Sequence, residues 1–190
     1  RDWSSDVCSS DLNPWLGGRP AVLAAGIGQA ARAVVDSPRT PDQSTLHTLR
    51  CRRALGMGVA ALRAGSPESV AASVASLAEV LLREPPECVD RAAVVRLLRD
   101  AARRQVACDP RSVRGWIRVS EAAALSGDRD AARTAAEHAL AANDSLALDP
   151  VRMLPAQERA RVEDAAHGGR PLLPADLPDR RSEEHTSELQ

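Results

Sequence analysis

Hydrophobic residues in this chain fall into helix-length blocks in which every third or fourth position is apolar, and Pro or Gly interrupts the pattern between blocks. The first predicted helix is Pro20–Val35, with Pro in its first turn and Ala, Val and Leu throughout. Gln29 and Arg32 interrupt it, and it is too short to span a bilayer. Asp36–Gln43 reads as a Pro-rich linker. Ser44 then opens a helix to about Ala64, with Leu46, Leu49, Leu55, Val59 and Leu62 as its apolar positions. Ser66 is a candidate cap for the next helix, Glu68–Glu84, which carries Val70, Val74, Leu77, Val80, Leu81 and Leu82 and stops at Pro85-Pro86. Val89–Ala107 follows, with Val94, Val95, Leu97, Leu98, Ala102 and Val106. A charged helix is expected over Pro155–His167, as a polar cap on the array. No segment alternates with period two, so an all-α fold is expected.

The stretch Asp109–Asp144 organises the rest. Trp116, Val119 and Ala123 share one stripe of its first helix, with Ser120 beside them. Gly127 supplies a turn residue with no penalty at positive φ. Asp128 is placed to cap the second helix, and Asp130 suits its positive end. In that helix Ala132, Ala136, Ala139 and Leu140 share one face. Neither helix can bury its stripe alone, so the two are expected to stack as an antiparallel hairpin against neighbouring hairpins.

These residues resemble one tetratricopeptide repeat, a helical hairpin with a Trp, a Leu-Gly pair, a Tyr, and then Ala, Phe and Pro at fixed offsets. Trp116 takes the Trp place, and Val119-Ser120 stand where Leu-Gly would be. Ala123 replaces the Tyr, Ala132 matches the Ala, and Ala136 replaces the Phe. Asp144 occupies the closing Pro position, and Pro110 sits where a preceding repeat would close. The resemblance covers about one repeat, with a weaker second match in which Gly58 and Gly65 overlie Ser120 and Gly127. It implies antiparallel helix pairs in a right-handed superhelix whose first helices line a peptide groove. On that pattern Arg114, Ile117, Arg118 and Glu121 would face the groove. Arg114 and Arg118, four apart on one helix, would both reach an acidic segment. The implied partner is a protein or peptide.

The two ends read differently. Arg181–Gln190, RSEEHTSELQ, is encoded by AGATCGGAAGAGCACACGTCTGAACTCCAG, and the reverse complement of that DNA, read one base in, gives Trp3–Leu12. Residues 1–12 and 181–190 therefore resemble translated sequencing adapter and are set aside. The remaining chain divides into a helix and Pro-rich linker (13–43), a helical domain (44–167) and a flexible tail (168–180). No native start or stop is visible, and the parent chain is expected to extend beyond both ends.

Removing the ends turns the net charge from −1 to about +3, because Asp2, Asp6, Asp11, Glu183, Glu184 and Glu188 leave with Arg1 and Arg181. Mixed signs near neutrality offer no electrostatic argument for nucleic acid or anionic membrane. The chain has no Phe, Tyr or Lys and is rich in Ala and Arg, the bias of GC-rich DNA.

Candidate chemistry is sparse. Gly26-Ile27-Gly28-Gln29-Ala30-Ala31 matches G-x-G-x-x-A, a dinucleotide fingerprint, but lacks the strands that the motif requires. Close helix packing is the expected role of both glycines. Cys51, Cys88 and Cys108 are widely spaced with no C-x-x-C pair, so neither zinc nor a disulfide framework is indicated, and thiols of this kind fit a reducing compartment. His47, His138 and His167 are scattered, and His138 is expected on a solvated face. No spacing argues for a nucleophile with its base, so no active site and no cofactor are expected.

The expectation is thus a non-catalytic interaction module, part of a larger bacterial protein. Three other readings stay open. Leu146–Ala166 after a repeat faintly resembles the C-terminal region of some O-antigen ligase-like glycan polymerases, which would make this a soluble tail of a membrane enzyme. A helical sensor region of a transcription regulator is the second, and a spurious reading frame in GC-rich DNA is the third.

Overall fold

The computed structural model describes residues 19–37, 44–64, 67–146 and 153–173. Seven helices follow one another: α1 (Arg19–Val35), α2 (Ser44–Arg63), α3 (Glu68–Leu81), α4 (Arg91–Cys108), α5 (Val113–Leu125), α6 (Arg129–Asp144) and α7 (Ala156–Ala166). No strand occurs among the described residues, so the fold is all-α as the periodicity predicts. The adapter-like ends, Ser66, Gly65 and the linker from Pro38 to Gln43 lie outside the described residues.

The helix ends follow local chemistry. α3 stops at Leu81 rather than Glu84, and Leu82, Arg83 and Glu84 wind down in backbone turns onto Ala78, Val80 and Leu81 before the two prolines. α4 begins at Arg91 rather than Val89, because the Asp90 carboxylate accepts from the Ala92 N–H at 2.9 Å. Ser112 caps α5 in the same way through the Gly115 N–H. The turn between α5 and α6 is the predicted one. Gly127 has φ of 81°, its N–H reaches the Ala124 carbonyl and the Asp128 N–H reaches the Ala123 carbonyl, both at 3.0 Å. That pair of bonds is a Schellman end, and the Asp128 carboxylate then caps α6 through Ala131 at 3.1 Å.

Each helix packs on the next, and α1 and α2 also reach the helix after next. The same next-but-one contact continues through side chains: Arg118 of α5 meets Glu79 of α3, and Arg114 of α5 meets Glu158 of α7. Two apolar clusters result. One gathers α1 to α4, with Ala122 of α5, around Val70, Val74, Leu77, Leu81, Val94 and Leu98, and the other gathers α5 to α7 around Val113, Ile117, Ala136, Ala139 and Val162. α5 and α6 approach closely where Ser120 meets Ala132, and the serine hydroxyl donates to the Ala132 carbonyl at 2.7 Å. Trp116 is half-buried against the second cluster, donates its indole N–H to the Pro110 carbonyl, and stacks on His138 of α6 at 4.4 Å. His138 is exposed as expected, but it serves as a lid on that ring.

Three expectations are corrected. The tail does not begin as a loose segment at Gly168: residues 168–173 fold back, and Leu172 is buried in the second cluster. A second Schellman end at Gly168, with φ of 80°, turns the chain there. Gly26 and Gly28 lie inside α1 with open space around their missing side chains, so close packing does not explain them. The third correction concerns α2. Its predicted apolar stripe started with Leu46 and Leu49, yet both are exposed, and the buried face carries His47, Cys51, Ala54, Gly58 and Ala61. Leaving two leucines half in water forgoes on the order of 1 kcal/mol each of burial. A helix that puts leucines out and a histidine and a cysteine in departs from ordinary patterning, and such departures concentrate at functional sites.

Candidate functional site

The four residues expected to line a groove do not form an open one. Ile117, Arg118 and Glu121 are all buried, and only Arg114 is exposed. The reason is that α5 has neighbours on nearly every side: α4 and α6 pack on it, α3 and α7 reach it through side chains, and Leu172 closes over it. A single-hairpin periodicity cannot register those additional neighbours. Arg118 is consumed inside the fold. Its guanidinium donates to Glu79 at 2.7 Å, Ser76 Oγ at 2.7 Å, Gln105 Oε1 at 3.1 Å and the Ala72 carbonyl at 3.4 Å. Gln105 passes the network on to Ser112 Oγ at 2.9 Å. Arg114, at the rim, pairs with Glu158 at 3.0 Å and approaches Glu79 at 3.7 Å.

Glu121 sits at the inner end of this layer. Burial pushes its carboxyl up from the ordinary 4.5 to about 7; Arg114, Arg118 and Arg161 pull it down and Glu79 pushes it up, but desolvation prevails. The space against it, between Arg114, Glu158, Arg161 and Leu172, is about 40 Å³. That is far below the few hundred Å³ of a ligand pocket. An open cleft of about 750 Å³ lies elsewhere, between the α5–α6 turn and residues 168–173, with Arg129, Asp130, Arg133 and Arg170 as its charged lining. It brings together no nucleophile and base.

A second constellation forms where sequence spacing showed none. His47 and Cys51 are one turn apart on the buried face of α2, and Glu84 reaches them from the turn that ends α3. His47 Nε2 lies 2.8 Å from Glu84 Oε2 and 3.6 Å from Cys51 Sγ. The three donor atoms are all within 4.8 Å of one another and all three residues are buried. His47 Nδ1 is enclosed with no hydrogen-bond partner. Cys88, four residues beyond Glu84, belongs to the apolar cluster that also holds Cys51, and the Thr48 hydroxyl donates to its sulfur at 3.7 Å. Scanning for C-x-x-C passes over this group. The usable signal was His47-x-x-x-Cys51, since i and i+4 share a helix face, but Glu84 is brought in only by tertiary packing. Cys108 and the other two described histidines stand apart from it.

This cluster is not arranged as a nucleophile with base and orienting acid. Cys51 and Glu84 both address Nε2, whereas a catalytic triad needs the thiol on one ring nitrogen and the carboxylate on the other. No protein-family model, curated protein or solved structure matches the chain.

Proposed function

We propose that this chain is a non-catalytic, tetratricopeptide-like helical module that docks a protein or peptide. The observation that carries the reading is the placement of exposed apolar side chains. Every exposed large hydrophobic residue among the described ones, namely Val22, Leu23, Val35, Leu46 and Leu49, lies on α1 or α2. Single exposed leucines are ordinary, but their confinement to one end of a helical stack marks a surface made for contact. On α2, Leu46 and Leu49 run on into exposed Arg52 and Arg53 along the outer stripe. That stripe suits an amphipathic partner segment with apolar anchors followed by acidic residues. The stacking of each helix on the next and next-but-one, and the small-residue contact of Ser120 with Ala132, support the repeat-like part of the reading.

The experiment is site-specific photo-crosslinking from positions 46 and 49 of α2 and, as control, from position 133 on the exposed face of α6. A discrete protein adduct from α2 that is competed by unlabelled chain and lost on adding Arg53→Glu is the expected result. Equal, non-competable adducts from both faces would contradict the proposal.

A further inference from the structure

The geometry points to a buried divalent-metal site of the zinc class, held by His47, Cys51 and Glu84. The set offers one imidazole nitrogen, one sulfur and one carboxylate oxygen, all within 4.8 Å of one another and all on buried residues. Thiolate and imidazole select a borderline-soft ion and disfavour calcium and magnesium, which take oxygen ligands.

The spacings fit. Zinc bonds of about 2.0–2.3 Å in tetrahedral geometry hold neighbouring ligand atoms roughly 3.3–3.6 Å apart. The sulfur–nitrogen separation of 3.6 Å is already there. The nitrogen–oxygen separation of 2.8 Å is that of a hydrogen bond, and opens by about half an ångström when an ion takes the place of the shared proton. The helix fixes two of the donors, because residues four apart stand above one another on one face. The two prolines at positions 85 and 86 stiffen the turn that presents the third.

Charge argues the same way. A thiolate and a carboxylate enclosed together are neutralised by one divalent cation, with the imidazole neutral. The ion takes Nε2, the ring nitrogen that faces Cys51 and Glu84, and leaves the enclosed Nδ1 to carry the imidazole proton. The site also accounts for the inverted patterning of α2, in which His47 and Cys51 take the inward positions while Leu46 and Leu49 face water. Binding releases two protons to solvent, the thiol proton and the one shared by His47 Nε2 and Glu84 Oε2, as the bonds to the ion form, and no redox step is involved.

The test uses the full chain in a Cys8→Ser, Cys108→Ser background, reduced and then dialysed after loading with Zn²⁺ or Co²⁺. About one ion per chain is expected to remain, and the cobalt form should show thiolate-to-metal charge-transfer absorption. Cys51→Ser should abolish that absorption, and His47→Ala and Glu84→Gln should each weaken retention at least about tenfold. Zn²⁺ at about a hundredfold excess over its Kd should also raise the Tm of the unsubstituted chain by several degrees, which keeps the proposal testable if a variant fails to fold. Loss of the ion on dialysis with no change in Tm, or charge-transfer absorption that survives Cys51→Ser, would overturn it.

Discussion

Arg118 Nε stands 2.7 Å from Glu79 Oε1, joining α5 to α3 across the boundary between the two apolar clusters. The arginine side chain is 7% exposed and the glutamate 14%, so the pair is largely enclosed, and three further acceptors complete the guanidinium. The layer therefore acts as a register mark between two otherwise greasy halves, where sliding would strand several polar groups at once.

Removing one partner of such a pair leaves the rest uncompensated. Arg118→Ala is expected to cost about 3 kcal/mol in urea unfolding, at the low end for a broken buried pair because water reaches Glu79. Glu79→Ala should cost less, and the double variant should cost less than the sum of the two. Additive losses would show that the pair is not coupled.

Glu121 makes stability depend on pH with a defined sign. Unfolded, its carboxyl titrates near 4.5; folded, burial holds it at about 7. Between those values the folded chain keeps a proton that the unfolded chain has released. The group's stabilising contribution is complete below about pH 4.5 and is lost as the pH rises through 7, by on the order of 3 kcal/mol. Glu121→Gln cannot titrate, so its unfolding free energy should fall less steeply from pH 4.5 to 8 than that of the parent chain. Parallel profiles would contradict this assignment.

Two glycine substitutions should differ in their effect on stability. Gly56 is exposed within α2 and an added Cβ meets nothing within 4 Å, so Gly56→Ala should stabilise by roughly 1 kcal/mol through helix propensity. At Gly115 an added Cβ lies 2.8 Å from Val106 Cγ1, a stiff β-branched neighbour on α4. Overpacking of about 1–3 kcal/mol then exceeds the propensity gain, and Gly115→Ala should be neutral to destabilising. Thermal melts of both variants decide it.

How much of this was readable in advance depends on whether the decisive neighbours are local. The Gly127–Asp128 turn was legible because its bonds run between residues a few positions apart. So were the inward faces of α3 and α4, where Val70, Val74, Leu77, Val94 and Leu98 repeat without ambiguity. Local periodicity leaves the stripe of Ile117, Arg118 and Glu121 open, because α3, α7 and Leu172, which cover it, come from distant parts of the chain. α2 is harder still to read from local pattern. Its leucines and its His-Cys pair occupy adjacent positions, and only the packing of Gly58 under Leu97 and the arrival of Glu84 choose which stripe goes inside.

That choice underlies both the docking surface and the metal site, so the rotation of α2 is the point to test. In a background lacking Cys8, Cys88 and Cys108, the maleimide reactivity of Cys51 is compared with that of the thiol in a Leu49→Cys, Cys51→Ser variant. The account predicts that position 49 labels like a small exposed thiol, while Cys51 labels roughly a hundredfold more slowly or less, because the helix must open first. Equal rates, or faster labelling at Cys51, would contradict it.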